Sequence, residues 1–214
     1  HDMRILVAGA TGNTGARLVK ALAEAGHAPV AMVRESSDTS VLPAGCETRM
    51  ADLADLPAGV ASDVDTVIFA AGSGGHTGDD GTDKVDRDGA IALIDAAVDA
   101  KVGRFVMLSS VGADAPSKGP EGLRHYLEAK HTADEHLKAA DVAHVIVRPI
   151  SLSDDSGNGL VSLAEQVDRD GEVTRDDVAA VLAASVTQAG LGGKVFEMAA
   201  GKTPVARAIA DVAA

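Results

Sequence analysis

A doubly wound α/β layer, a three-layer αβα sandwich around a parallel sheet, is the fold this sequence predicts, and three observations predict it. Short β-rich apolar runs alternate with stretches of helical period, the pattern of βαβ units. Most of those runs are continuously apolar rather than alternating, as strands covered by helices on both faces are. The first run ends in a glycine turn that opens a helix. At 214 residues and 46% hydrophobic content, one core is enough. The expected unit is a single domain over residues 3–214, with residues from about 150 to 190 forming a short C-terminal substrate-loop and helix region. His1 and Asp2, ahead of Met3, look like leftover residues and are set aside from the fold.

In chain order the elements are as follows. RILVAGA (4–10) is the first strand, and residues 13–25 form a helix with Leu18, Leu22 and Ala25 on one stripe, stopped by Gly26. APVAMVR (28–34) is the second strand and residues 46–50 a weaker third. DTVIFAAG (65–72) is the fourth, followed by a helix over 86–100 with Ile91, Ile94 and Val98 at helical spacing. RFVMLSS (104–110), a helix over 122–140, HVIVRP (144–149) and KVFEMA (194–199) complete the pattern. Loops 72–81 and 151–159, rich in Gly, Ser and Asp, follow strand carboxyl ends, where open parallel sheets take ligands. The second, with Asp154 and Asp155, reads as a substrate lid or as a plain acidic loop.

Charge and composition exclude several functions. With 19 basic and 32 acidic residues the net charge is −13, a field that repels nucleic acid and anionic lipid. Four aromatic residues, one Tyr and three Phe, leave no platform for stacking bases. Asp outnumbers Glu 23 to 9 and there are only 8 Lys, a surface that reflects either codon bias or adaptation to salt. The single cysteine, Cys46, permits no intrachain disulfide, so a reducing cytoplasm is the expected compartment. No apolar stretch reaches the roughly 20 residues of a bilayer span. Seven histidines invite a metal reading, but His131 and His136 point to different helix faces and Cys46 has no neighbouring ligand, so no metal is expected. The expected partner is a small molecule, with self-association into a homo-oligomer left open.

Residues 9–15, Gly-Ala-Thr-Gly-Asn-Thr-Gly, leave a strand and open a helix. Gly9 permits the tight turn, Gly12 lets backbone N–H groups approach a pyrophosphate, and Gly15 lets helix and strand pack closely, while Thr11, Asn13 and Thr14 flank the same turn. Arg34 ends the second strand, where an acid would take the ribose of NAD and an Arg suits the 2′-phosphate of NADP; NADP is therefore expected, with the adjacent Glu35 leaving NAD open. Asp52 and Leu53 would flank the adenine. Ala70, Ala71 and Gly72 are small enough for a dinucleotide to pass close to backbone, and Pro149 would shape the nicotinamide pocket.

The only tyrosine, Tyr126, stands four residues before Lys130, so the two share a helix face. A hydride delivered to a carbonyl carbon leaves an alkoxide that needs a proton, and a phenol with a pKa of about 10 gives one at neutral pH more readily when a cation lowers it. Lys130 is the expected cation and a candidate to bond the nicotinamide ribose. Ser109 and Ser110 end the strand before it, and one hydroxyl is expected to polarise the reacting oxygen. His125 is either a surface residue or a pocket residue, and Arg148 either a pocket residue or an ion-pair partner.

These motifs resemble the short-chain dehydrogenase/reductase superfamily, and within it the atypical branch of compact NAD(P)-binding proteins that includes epimerase/dehydratases, NADH-flavin-reductase-like and NmrA-like proteins. The resemblance runs over nearly the whole chain, through GATGNTG (9–15), FVMLSSVGA (105–113), YLEAK (126–130), ADEHLKAADVAHVIVRP (133–149) and TRDDVA (174–179). It implies a Rossmann sheet, a bound dinucleotide and a Ser-Tyr-Lys site of Ser110 (or Ser109), Tyr126 and Lys130. Extended members carry Asn in an N-x-x-G pattern after the fourth strand; here Asp86-Arg87-Asp88-Gly89 stands there, as is known of the atypical branch. Asp86 would hold a water or Lys130, or simply serve the helix dipole. Only 65 residues follow Pro149, few for the substrate domain of a sugar-nucleotide epimerase. The expectation is an NADP-dependent oxidoreductase acting on a small carbonyl, quinone or flavin-like acceptor, with an NAD(P)-dependent epimerase/dehydratase and an NADP-sensing regulatory protein as alternatives.

Overall fold

A computed structural model describes residues 2–72 and 78–214; residues 73–77 of the predicted 72–81 loop lie outside it. Nine strands form one sheet. Its parallel part contains β1 (Arg4–Ala8), β2 (Ala28–Val33), β3 (Glu47–Met50), β4 (Thr66–Phe69), β5 (Arg104–Leu108) and β6 (His144–Pro149). Two strands of a small separate pair, β7 (Leu152–Ser153) and β9 (Val173–Thr174), flank β8 (Leu160–Ala164) in sequence. With β10 (Lys194–Ala200) and β11 (Thr203–Pro204), the spatial order of the main sheet is 11-8-10-6-5-4-1-2-3. β10 joins β6 in parallel, whereas β8 runs antiparallel to both β10 and β11. This is the doubly wound Rossmann-like layer expected, and its order reverses between β1 and β4, where such sheets open a ligand crevice.

Side chains of β1 alternate between two cores, as a strand covered on both faces requires. Ile5 and Val7 pack toward helix α1 (Asn13–Glu24), through Leu18 and Leu22, and toward α5 (Arg175–Ala184), through Val178 and Leu182. Leu6 and Ala8 face the opposite core, with Phe69, Phe105 and Leu93. The three Phe are core fillers, and each fully buried Leu of α1 contributes roughly 1.5–3 kcal/mol. Three predicted strands end two or three residues early, at Ala8, Phe69 and Leu108, because the following residues turn off the sheet into the crevice.

The predicted 86–100 helix is longer and less regular than its apolar spacing indicated. A short turn, α2 (Gly78–Gly81), runs into a π-helical segment, Thr82–Gly89, and then into α3 (Ala90–Asp99). Helix α4 (Arg124–Ala139) falls within the predicted 122–140. α5 begins at the TRDDVA motif, where Thr174 accepts a hydrogen bond from the Asp177 N–H at 3.1 Å. α6 (Val205–Ala213) closes the chain through Ala208 and Ile209. Among the described residues no helix is long and apolar enough to cross a membrane.

Candidate active site

The turn after β1 is built by two glycines and opened by a third. Gly9 has φ +82°, and a Cβ there would overlap the Ala71 backbone, so the turn presses against the chain leaving β4. A Cβ on Gly15 would overlap the Gly9 carbonyl, so Gly15 sets the approach of α1 to the strand. Gly12 differs: its Cβ would meet nothing closer than the Gly9 oxygen, at 3.4 Å. Helix α1 starts there with no side-chain cap among the described residues and no acidic residue in its first turn. α5 by contrast has both, Thr174 as cap and Asp176 and Asp177 as acids. Among the described residues, the N-terminus of α1 thus keeps its partial positive charge and first-turn N–H groups for an anion.

A cleft of about 600 Å³ opens above this turn. Of the predicted cofactor residues, Gly9, Thr11, Gly12, Asn13, Thr14, Arg34, Asp52, Leu53, Ala70, Ala71, Gly72 and Lys130 line it. Gly15 does not, since it packs helix on strand, and Pro149 lines a neighbouring cavity instead. Arg34 is in the lining and Glu35 is not. Sequence reasoning missed Ser37, whose hydroxyl accepts the Arg34 N–H at 2.9 Å and which stands beside Arg34 in the cleft. It also missed Arg175, which the TRDDVA motif contained. Arg175 is fixed by Asp154 at 2.8 Å, and Asp154 also pairs with Arg17 at 3.6 Å. With Gly157 and Gly159 donating to Asp176 and Asp177, loop 151–159 is tied to the start of α5.

At the other end of the cleft stand Ser109, Tyr126 and Lys130. Lys130 is 1% exposed, with its Nζ 3.8 Å from Met107 Sδ and 5.1 Å from the centre of the Phe69 ring. Burial pulls its ammonium below the usual lysine range, against the opposing pull of Asp86 and Asp134. The predicted lowering of the phenol is reversed. Burial first, then the Asp86 and Asp134 carboxylates, push Tyr126 well above its ordinary value, so the hydroxyl is held protonated. Asp86 is fully buried on the π-helical segment and bears on both side chains from behind, while its neighbours Lys84 and Val85 reach the cleft.

The two serines differ. Ser109 donates to Asp134 Oδ2 at 2.6 Å, and Ser110 donates to the Val111 carbonyl at 3.0 Å. Arg148 is the ion-pair partner, with Nη2 3.1 Å from the same Asp134 oxygen. Asp134 was not singled out from sequence, although Tyr126, Lys130 and Asp134 follow one another at helical spacing. His125 is a helix-surface residue bound to Asp83 at 2.7 Å, an interaction that raises its pKa.

A second cavity, also of about 600 Å³, adjoins the first. Ser109, Tyr126 and Leu152 line both. Its wall is mixed, with Leu123, Leu127, Ile150 and Val167 beside the charged Asp114, Lys118 and Arg169, and Tyr126 is its only aromatic residue among those described.

A family model described as NAD(P)H-binding matches residues 9–189. The chain belongs to the NAD(P)H-binding family. Among relatives in this family, the uncharacterized sugar epimerase YhfK of Bacillus subtilis (strain 168) is 39% identical over 212 residues, 97% of this chain and 99% of that one. A solved structure from Bacillus halodurans, provisionally named an NAD-dependent epimerase/dehydratase, is 39% identical with a TM-score of 0.92, covering 98% of this chain and 99% of the other. The oxidoreductase ylbE from Lactococcus lactis is 30% identical with a TM-score of 0.87, covering 98% and 96%. The uncapped α1 N-terminus over an open glycine turn fits the dinucleotide this family binds. Gly12, Asn13 and Thr14 would hold its phosphates, and Asp52 and Leu53 would flank its adenine.

Proposed function

We propose that this NAD(P)H-binding protein is an NADP-dependent oxidoreductase that reduces a small carbonyl compound, with Tyr126 as proton donor. The observation that carries the reading is that Tyr126 and Ser109 belong both to the cleft over the glycine turn and to the cavity beside it. A carbonyl in the second cavity would thus meet a hydroxyl donor at the boundary with the cofactor. Arg34 and Ser37 at the far end of the cleft suit a 2′-phosphate, which supports NADP over NAD.

When bound, the reduced nicotinamide supplies a hydride to the carbonyl carbon. The carbonyl π pair then moves onto oxygen, and that oxygen takes the Tyr126 proton. An alkoxide is a stronger base than a phenolate, so even a phenol raised by burial gives up its proton in that direction, and water returns one to Tyr126 afterwards. Lys130 would hold the nicotinamide ribose and oppose the phenolate charge as it forms.

The test is NADPH oxidation with a panel of aldehydes, ketones, quinones and a flavin, for the wild type and Tyr126→Phe. Loss of about 10²–10⁴ in kcat with little change in NADPH affinity is expected. Unchanged turnover in Tyr126→Phe refutes the acid role. The name of the Bacillus subtilis relative favours a second reading, a sugar epimerase. That reaction returns its cofactor each cycle, so net NADPH consumption rejects it. Tight NADPH binding with no consumption by any acceptor would instead indicate a sensor.

A further inference from the structure

With a net charge of −13 the chain as a whole repels anions, yet the cleft over the glycine turn does not share that sign. Among the described residues its charged lining is four cations, Arg34, Lys84, Lys130 and Arg175, against one carboxylate, Asp52. A dinucleotide carries its charge on phosphates, so such a lining suits it. Arg34 stands with Ser37 beyond the second strand, Lys130 is buried beside Tyr126, and Lys84 comes from the π-helical segment. Arg175 enters from a separate element, the start of α5.

Its position is built step by step. Ser153 of β7 pairs with Thr174 of β9, which sets Asp154 beside Arg175. Asp154 Oδ1 accepts from Arg175 Nη1 at 2.8 Å and lies 3.6 Å from Arg17 Nη2. Arg17 in turn donates to the Asn13 carbonyl at 2.5 Å, at the start of α1. The Arg175 guanidinium is thus brought to the first turn of α1, and it shares the cleft lining with Gly12, Asn13 and Thr14. Among the described residues only its Nη1 is hydrogen-bonded, which leaves Nε and Nη2 to donate to a ligand. The nearby acids are engaged elsewhere: Asp176 accepts from Arg17 at 2.8 Å and from the Gly157 N–H at 3.0 Å, and Asp177 from the Gly159 N–H at 2.9 Å. Neither they nor Asp154 line the cleft.

We propose that Arg175 binds the pyrophosphate of the dinucleotide together with the N-terminus of α1, so that α5 as well as α1 holds the cofactor. A guanidinium offers paired N–H donors that match two phosphate oxygens. Asp154 is dispensable for that grip: its side chain is 64% exposed, and an ion pair so exposed holds weakly. The assignment goes beyond the reaction proposed above, since a reductase, an epimerase and a sensor would all bind the same phosphates. It also sets Arg175 apart from Arg34, whose assigned contact exists only where the ribose carries a 2′-phosphate.

The experiment is titration calorimetry with NADPH and with NADH on the wild type, Arg175→Ala and Asp154→Ala, alongside thermal melting of each free protein. Both substitutions break the same ion pair, but they remove opposite charges. Arg175→Ala is expected to raise Kd for both cofactors by a similar factor, about ten- to a hundredfold, as for a lost hydrogen bond to a charged group. Asp154→Ala, which removes a carboxylate near the phosphates, is expected to leave both Kd values unchanged or lower. Unchanged binding in Arg175→Ala overturns the proposal, as does failure of the wild type to bind either cofactor. Equal losses in the two variants overturn it in favour of an ion pair that only ties loop 151–159 to α5. A loss confined to NADPH overturns it in favour of a contact to the 2′-phosphate. Where Arg175→Ala does not fold, Asp154→Ala decides: a loss of about tenfold or more overturns the proposal, and equal or tighter binding supports it. If the Kd values shift as expected while the wild type oxidises NADPH with no acceptor, the reductase reading falls and the role of Arg175 stands. Turnover with unchanged binding in Arg175→Ala gives the reverse.

Discussion

Gly12→Ala separates binding from folding more sharply than any other change in the glycine turn. At φ −78° and ψ 177° alanine fits the backbone without strain, and the new methyl would meet only the Gly9 oxygen, at 3.4 Å. At a helix N-cap, Ala is worse than Gly by roughly 0.5 kcal/mol, which the lower unfolded-state entropy of Ala offsets by about 0.4–1 kcal/mol. Stability should hence change by less than about 1 kcal/mol. The methyl instead occupies the mouth of the α1 N-terminus, where phosphates would meet first-turn N–H groups. Loss of one hydrogen bond to a charged group costs about 1.5–3 kcal/mol, which is roughly ten- to a hundredfold in Kd. Titration calorimetry with NADPH and thermal melting of the free protein measure the two effects separately. An unchanged Kd would mean that the phosphates do not sit on this turn. A large drop in Tm would mean that Gly12 is structural, as Gly9 and Gly15 are.

Arg34→Ala should weaken NADPH binding by at least about tenfold, as expected for a charge-assisted contact, while NADH binding stays nearly constant; equal losses for both would remove the 2′-phosphate assignment. Leu182→Ala, fully buried in α5 against the α1 side of the sheet, should cost about 2–5 kcal/mol by denaturant unfolding, and a loss below about 1 kcal/mol would contradict the packing described. Asp63 is held down at about 2 by hydrogen bonds from Arg49 and then Arg4. A carboxylate with a lowered folded pKa stabilises above its unfolded value near 3.9 and loses that contribution as pH falls toward the folded one. Asp63→Asn should therefore destabilise at neutral pH and become neutral near pH 2. With the side chain 48% exposed, the effect should stay under about 1 kcal/mol and fade in high salt; a large, salt-insensitive loss would refute this.

The parallel half of the sheet was legible because its strands are uniform apolar runs separated by helices with clear stripes and stops. Leu18 and Leu22 with Gly26 fixed one such helix in sequence, and the glycine turn marked the crevice. The short strands β7, β9 and β11 were not legible, since two residues carry no period, and neither was β8, whose partners are set by tertiary contact. The π-helical segment escaped notice because Ile91, Ile94 and Val98 report only the regular helix that follows it. At the site, residue type and spacing found Tyr126 and Lys130. The direction of the phenol's shift was not readable, because it depends on Asp86 and Asp134 arriving from separate elements and on burial that no local pattern reveals. Ser37 and Arg175 were hidden for the same reason: each is an ordinary polar residue until the fold delivers it to the cleft.

Residues 82–89 wind more widely than the α3 helix they run into. Such a stretch accommodates an extra residue within a turn, so side chains before Gly89 are out of phase with those after it. Asp86 reaches the interior on that altered phase. Removing a single residue from this stretch would tighten the winding and carry the carboxylate around the helix axis, leaving α3 and its apolar stripe intact. Chain length here thus specifies the site as firmly as residue identity does, and insertions or deletions within 82–89 should be worse tolerated than most substitutions of its exposed residues.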